Sequence, residues 1–462
     1  MASSAQAHVQ GDGPGPVTVP ERRTGWKLLA AGLLGSSIEW YDFFLYGTAA
    51  ALVFPHVFFP HSSAFMGTLL SFSTFWAGFL ARPLGGLLAG HFGDRYGRKP
   101  TVVACLIGMA AATFLIGCLP SAASVGVLAP VLLVLLRFAQ GLAAGGQWGG
   151  IALLLTESAH PKRRGFAGTF GQTSVPVAVI IVNLVFTTTG SLVSDDTFLD
   201  WGWRVPFLLS AVMFPVVLHI QRKVEDTPDF RELQEAAAAR RPEASVVRAP
   251  LTEAVRRNWR TILLGCATLS ATNSLFYVSI TGLLSYGTAT LHMERDSLLT
   301  VTLLSSALMA GILPWAGHLS DRFGRRRLIL TGGLGVAAWA FPYFALVDTA
   351  SVPLVFVAVT VGFLFQGLTY GPMAAFLGEL FAPNVRYSSA SLAYQLSAIV
   401  VSGGTPILMT AVVARTGTTT LVAAYIALMG LVTFAGAWFL PETNPAGVRR
   451  DAGALPGAHL HS

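Results

Sequence analysis

Apolar positions in this chain do not alternate in short periods. They come in long runs, each near the roughly 20 residues that a helix needs to cross a bilayer. The runs predict helices at 27–53, 64–91, 100–119, 127–156, 164–190 and 203–221. A second set is predicted at 259–291, 297–320, 327–347, 351–380, 386–414 and 418–440. Residues 1–24 are polar, with Gly and Pro, and are expected to be a disordered tail. The stretch 222–258 is polar and charged and reads as a linker between the sets; 441–462 reads as a second polar tail. The expected fold class is an all-α membrane protein, with twelve transmembrane helices in two six-helix bundles, 25–221 and 259–440.

Two repeated motifs make the halves pseudo-symmetric. Residues 90–100 read GHFGDRYGRKP, and 227 residues later 317–327 read GHLSDRFGRRR. Both fit G-x-x-x-D-R-x-G-R-[KR], through Gly90, Asp94, Arg95, Gly97, Arg98 and Lys99 and through Gly317, Asp321, Arg322, Gly324 and Arg325. The glycines are expected to permit a tight turn. The aspartates are suited to a neighbouring helix start, where free N–H groups favour an anion. The second motif, E-x3-P-x2-R, joins Glu157 to Arg164 and returns 222 residues later from Glu379 to Arg386. A period this long is a duplication of a domain, not a solenoid of short repeats.

Composition sharpens the membrane reading. Of 462 residues 53% are hydrophobic and 11% charged, whereas soluble domains carry roughly 25% charged residues. The net charge of +7 would suit a nucleic-acid partner, but its distribution explains it otherwise. Twenty-five of the 30 Lys and Arg residues fall on the tails, the linker and the loops on one side of the expected membrane. Arg204, Arg295 and Arg415 fall on the other side, and Arg82 and Arg137 fall within helices. The bias places both termini in the cytoplasm. The three cysteines lie in apolar runs and show no disulfide or metal-ligand spacing. No cleavable signal is expected, since the first apolar run begins near Lys27 and is too long for one.

Ionisable groups inside a membrane are functional candidates by default. Glu39 and Asp42 share one face of the first helix, and Arg137 lies at similar depth in the fourth as the natural counter-charge. A carboxyl that exchanges a proton as such a pair makes and breaks is a coupling device; a static pair that only fixes packing is the alternative. Arg82 lies nearer the end of the second helix. Neutral candidates for a polar cavity are Trp40, Tyr41, Gln140 and Trp148 in the first half, and Asn273, Tyr277, Gln366, Tyr370, Tyr394 and Gln395 in the second. Glu157 is expected to pair with Arg95 or Arg98, and Glu379 with Arg322 or Arg325. No phosphate-binding loop of a nucleotide-binding unit is present, so ATP is not the evident energy source.

The paired hairpin motifs resemble those of the major facilitator superfamily, and RFAQGLAAGG at 137–146 is similar to its fourth-helix motif. More narrowly, IEWYDFFLYG, FFP at 58–60, ARPLGG at 81–86 and ESAHPKRRG at 157–165 resemble the metabolite–proton symporters, which include shikimate, 2-oxoglutarate, citrate and proline or betaine transporters. The resemblance covers about 25–440. It implies a secondary transporter of the inner membrane, working by alternating access. The expected function is import of a small polar metabolite, an organic acid or zwitterion, with protons. No cofactor, metal, catalytic residue or nucleic acid is expected, and the chain is expected to function as a monomer in the lipid bilayer. The resemblance also implies a cytoplasmic gate: Asp94 against the eleventh helix, with Arg98 and Glu157, and Asp321 against the fifth. A drug–proton antiporter of the same fold is the first rival, a transporter-like sensor the second; a membrane enzyme is disfavoured.

Overall fold

The computed structural model describes residues 26–96, 98–145, 155–156, 159–211, 251–382 and 385–444. No strand occurs among them. The first half contains α1 (Trp26–Leu52), α2 (Ala64–Tyr96), α3 (Arg98–Gly117), α4 (Leu128–Ala144), α5 (Arg164–Ser191) and α6 (204–211). The second contains α7 (251–289), α8 (Arg295–Phe323), α9 (Arg325–Val347), α10 (Val352–Leu380), α11 (386–416) and α12 (Thr420–Phe439). Eight of the described helices are long and apolar enough to cross a membrane, and Val103–Gly117 and Leu128–Ala144 are shorter apolar helices. Within lipid a helix is the natural choice, because it satisfies its own N–H and C=O groups. Leu87 and Leu88 of α2, Leu135 of α4 and Leu428 and Leu431 of α12 are exposed, an apolar outer surface that suits lipid contact.

Most helix ends among the described residues fall within a few residues of expectation; the expected ends of the fourth and sixth helices, near 156 and 221, adjoin or lie in stretches outside them. The α7 helix begins at Leu251, inside the stretch read as a linker. Residues 1–24 and most of that linker lie outside the described residues.

Small residues decide how closely the helices approach. On α2 and α4, a side chain at Gly85 would overlap the carbonyl of Leu142, one at Gly141 that of Gly78, and one at Gly145 that of Arg82. The two backbones are therefore in direct contact. Gly78 also leaves the space that the Arg137 side chain occupies. Helices α5 and α8 meet in the same way through Gly165 and Gly317. This corrects one expectation. Gly317 is not a turn glycine but lies inside α8, facing the Gly165 backbone; of the motif glycines described, Gly324 makes the turn, at φ 107°.

Two helices of the second half carry π-type turns, at Val278–Gly282 in α7 and Ala398–Ser402 in α11. Such single turns re-aim side chains and concentrate at functional sites. Here each follows within a few residues of polar candidates, Asn273 and Tyr277 on α7 and Tyr394 and Gln395 on α11.

The close approach of α2 and α4 gives a direct test. Gly141→Val places its side chain against the Gly78 carbonyl and Ala81. Overpacking of this kind costs about 1–3 kcal/mol, and we expect a lower melting temperature and loss of monodisperse protein on size-exclusion chromatography. Gly311→Ala, where an added carbon meets nothing within 4 Å, should leave both unchanged.

Candidate functional site

A small cavity lies where five helices converge, with enclosed free space on the scale of a water molecule. Trp40 and Phe44 of α1 and Val175 of α5 wall it from the first half. Thr272, Asn273, Phe276 and Tyr277 of α7, Gln366 and Tyr370 of α10, and Tyr394 of α11 wall it from the second. Six of these ten residues are aromatic. Four of them pack as a continuous set: Trp40 stacks on Phe44 at 5.5 Å, Phe44 reaches Phe276 at 5.4 Å, and Phe276 meets Tyr277 at 5.5 Å. The polar side chains are held from behind. Asn273 donates to Ser397 Oγ at 2.9 Å, and Gln366 donates to the Thr272 carbonyl at 3.3 Å. The buried Gln366 Oε1 keeps no hydrogen-bond partner. The wall thus offers a small ligand aromatic faces and an unused acceptor.

The charged candidates sit beside this cavity, within the first half. Asp42, Arg82 and Arg137 are all buried. Arg137 hydrogen-bonds Gln140 Oε1, and Gln140 in turn donates to Thr113 Oγ1 at 2.8 Å. The Arg137 guanidinium lies over the rings of Tyr46 (4.2 Å), Phe43 (4.4 Å) and Phe75 (4.9 Å). Arg82 lies over Phe43 (4.5 Å), Trp40 (5.3 Å) and Phe79 (5.5 Å). Neither arginine forms an ion pair with Asp42; the ion pairs among the described residues are elsewhere. Arg137 Nε and Nη2, Arg82 Nε and Asp42 Oδ1 are buried without a hydrogen-bond partner.

Not every predicted residue faces the cavity. Tyr41 points to α6, donating to the Pro206 carbonyl at 2.9 Å. Gln140 braces Arg137. Gln395 reaches from α11 toward the end of α4, with its amide 3.4 Å from the Gly145 carbonyl. Trp148 and the Glu39 side chain lie outside the described residues. Phe44, Val175, Thr272 and Phe276 are wall residues that the sequence reading missed. Three of them are apolar, and two carry a signal in their helical spacing from chosen neighbours: Phe44 is four residues from Trp40, and Phe276 three from Asn273; Val175 has none.

At the far end of α8 a second cluster forms around Arg325. Its side chain is fully buried. Nη1 donates to Asp321 Oδ1 at 2.8 Å and to the Ser320 carbonyl at 3.0 Å. Nε and Nη2 donate to the two oxygens of Glu379, each at 3.2 Å, the bidentate geometry that suits a carboxylate. Arg325, rather than the exposed Arg322, is therefore the partner of Glu379. Asp321 also crosses to the other half: its two oxygens accept from the backbone N–H groups of Gly165 (2.8 Å) and Phe166 (2.9 Å), in the first turn of α5. The helix dipole favours an anion there. Arg164 heads that turn, and Arg386 donates to the Phe381 carbonyl at 3.2 Å. The side chains of Gly90, Asp94, Arg95, Gly97, Arg98, Lys99 and Glu157 lie outside the described residues.

The segment read as the start of a free tail is part of this cluster. Glu442 accepts from the N–H groups of Arg325 (2.9 Å) and Arg326 (3.1 Å), capping α9. Thr443 donates to Glu379 at 2.8 Å, and Asn444 donates to the carbonyls of Ser320 and Asp321 at 3.1 and 3.0 Å.

Comparison with known proteins agrees with this architecture. The family described as Sugar (and other) transporter matches residues 28–447. The inner membrane metabolite transport protein YhjE of Escherichia coli K12 is 38% identical over 387 residues, 83% of this chain and 86% of that protein. The shikimate transporter of the same strain is 37% identical over 375 residues, 81% and 84% of the two chains. The citrate-proton symporter of Klebsiella pneumoniae is 33% identical over 377 residues, 81% and 83%. Among solved structures, the major facilitator superfamily proton:xylose symporter XylE, bound to 6-bromo-6-deoxy-D-glucose, aligns with a TM-score of 0.69 at 16% identity, covering 90% of this chain and 96% of that one. At that identity the likeness shows the fold.

Removing a partner from the Arg325 cluster should destabilise according to what it leaves behind. Glu379→Ala leaves Arg325 with Asp321 as its remaining counter-charge and leaves its buried Nε and Nη2 without acceptors, a loss of about 3 kcal/mol. Glu442→Ala removes a helix cap, a loss of about 1–2 kcal/mol. Chemical denaturation in detergent should give that order; equal effects would mean that Arg325 does not depend on Glu379.

Proposed function

This chain belongs to the family of sugar (and other) transporters, and from that premise we propose that it imports a small polar metabolite, an organic acid or zwitterion, together with protons. It is a membrane transporter and not an enzyme. The observation that carries the finer reading is the pairing of a small aromatic-walled cavity with two buried, under-bonded arginines and one buried carboxyl. Arginine suits a carboxylate because its planar fork donates two parallel bonds. An anion entering against a negative-inside potential loses about 2.3 kcal/mol per charge per 100 mV, which co-transported protons offset.

Asp42, with Glu39 on the same helix, is the proposed proton carrier. Asp42 and Arg137 are buried near each other without an ion pair, so a change in α1 or α4 that brings them together would alter the proton affinity of Asp42. The Asp321 cluster is the proposed latch of the closed cytoplasmic face, since one carboxylate joins the two halves there. The excess of Lys and Arg on that side supports cytoplasmic termini in the inner membrane. One chain builds the whole cavity, which supports function as a monomer.

Uptake into proteoliposomes under an imposed proton gradient tests the reading, screened across carboxylates, zwitterions and lipophilic cations. Accumulation of a carboxylate or zwitterion is the expected result; extrusion of lipophilic cations alone would replace it with the antiporter. In the same assay, Asp42→Asn or Glu39→Gln should abolish gradient-driven accumulation by at least tenfold while sparing exchange. Full accumulation by both variants would remove these residues from coupling. Asp321→Asn should slow transport severalfold at near-normal binding affinity.

A further inference from the structure

The region around Phe43 carries more positive charge than its surroundings neutralise. Phe43 is buried on α1, and the guanidinium carbons of Arg82 and Arg137 lie 4.5 and 4.4 Å from its ring centroid. The two charges are therefore less than 9 Å apart. They repel, and in an apolar interior the repulsion is poorly screened. Neither is paired with a described acid, and three of their buried nitrogens have no acceptor.

What holds them is aromatic. Arg82 also contacts Trp40 and Phe79, and Arg137 also contacts Tyr46 and Phe75; Phe43 is the ring common to both sets. Its own position is fixed by Phe75 at 5.1 Å and Phe79 at 4.8 Å. The negative face of a ring attracts a cation, by up to about 2 kcal/mol when desolvated. It offers no hydrogen-bond acceptor, so Arg82 Nε and Arg137 Nε and Nη2 remain unused. The cavity is one layer away: Trp40, which Arg82 overlies, is a wall residue, and so is Tyr277, 5.7 Å from Phe79.

We propose that Phe43 is a positioning residue for substrate selection. It holds Arg82 and Arg137 as a pair of under-bonded cations, so that the neighbouring cavity selects a small molecule bearing a carboxylate over a neutral or cationic molecule of the same size. The proposal rests on the transport reading above. A carboxylate supplies the acceptors that the arginines lack and offsets their repulsion. An amide or amine of the same skeleton does not.

The test separates ring charge from ring shape. Phenylalanine at 43 is replaced in the full chain by 4-fluoro-, 3,5-difluoro- and 3,4,5-trifluorophenylalanine, which weaken the negative face at nearly constant volume. Thermal stabilisation of the purified protein is measured with hydroxylated mono-, di- and tricarboxylates and with the corresponding amides and amines. Stabilisation by at least one carboxylate and not by its amide or amine is expected. Its apparent Kd should rise stepwise with fluorination, about tenfold at the trifluoro ring, while the ligand-free melting temperature stays constant. In proteoliposomes KM should rise while the maximal rate holds. Phe43→Leu, which fills the space without a ring, should lose at least as much affinity. Unchanged affinity in the trifluoro protein, equal binding of amide and acid, or no carboxylate binding would overturn the proposal. If the trifluoro protein takes up its substrate with unaltered KM, the role of Phe43 fails and proton-driven transport stands. If the unmodified protein shows no proton-driven uptake, the transport reading itself fails.

Discussion

A guanidinium buried between helices must find its partners inside the protein, and this chain answers that demand in two opposite ways. Arg325 is fully buried and every nitrogen of its fork is used, by Glu379, Asp321 and the Ser320 carbonyl. Arg137 is as deeply buried, yet one of its three nitrogens is bonded, to Gln140. An unmet buried donor costs about 1–3 kcal/mol, more when charged. Such a group persists only where the surrounding packing holds it. The Gly78 gap and the rings of Phe43, Tyr46 and Phe75 provide that hold. The satisfied arginine thus marks where the molecule is braced, and the others keep buried donors without acceptors.

The braced cluster links the halves through shared atoms as well as through the close packing of α5 on α8. Asp321 Oδ1 receives both an Arg325 N–H and the Gly165 backbone N–H. Any motion that draws α5 away from α8 therefore leaves Asp321 with Arg325 alone and leaves the first turn of α5 with open donors. Glu442 and Asn444 hold the second-half side of the cluster, at the start of α9 and the end of α8. That side is cross-tied from three helices, whereas the bond to α5 rests on one carboxylate. The weak seam of this end is thus the one between the halves.

Much of this was legible in the sequence because long apolar runs have few alternative readings. The helices and the repeated motif were expected from spacing and charge, which also suited the aspartates to a helix start; that Asp321 meets α5 was implied by the resemblance. The failures share a cause: sequence shows which residues are polar, not which way a helix is turned. Tyr41 and Trp40 are adjacent, yet one faces α6 and the other the cavity. Gln140 was chosen as a ligand group and instead braces Arg137. The aromatic wall was half missed because Phe44 and Phe276 look like ordinary packing residues when read singly. Gly317 was read as a turn because glycine serves both turns and close helix contacts, and only the partner helix decides between them. The Pro441–Asn444 segment looked like the start of a tail because so short a stretch carries no periodicity, although Glu442, Thr443 and Asn444 each have a backbone or side chain to meet.

The contacts between α5 and α8 set what any rocking of the halves must break. The two helices run antiparallel and touch along their lengths. At one end lie Gly165, Gly317 and Asp321. Near the other, Asn183 donates to Thr302 Oγ1 at 2.7 Å and to the Leu299 carbonyl at 3.2 Å. Beyond it Arg295 lies over Phe198 and pairs with Asp195 at 3.3 Å, against the glycine surface of Gly190. The two ends differ in character. The Asp321 contact is buried and charge-assisted, and Asp195 is exposed, where an ion pair is worth roughly 0–1 kcal/mol. Opening the Arg295 end gives up weak, solvated contacts, whereas opening the Asp321 end requires a buried carboxylate to release two backbone donors. On these contacts, separating the Asp321 end breaks stronger bonds than separating the Arg295 end.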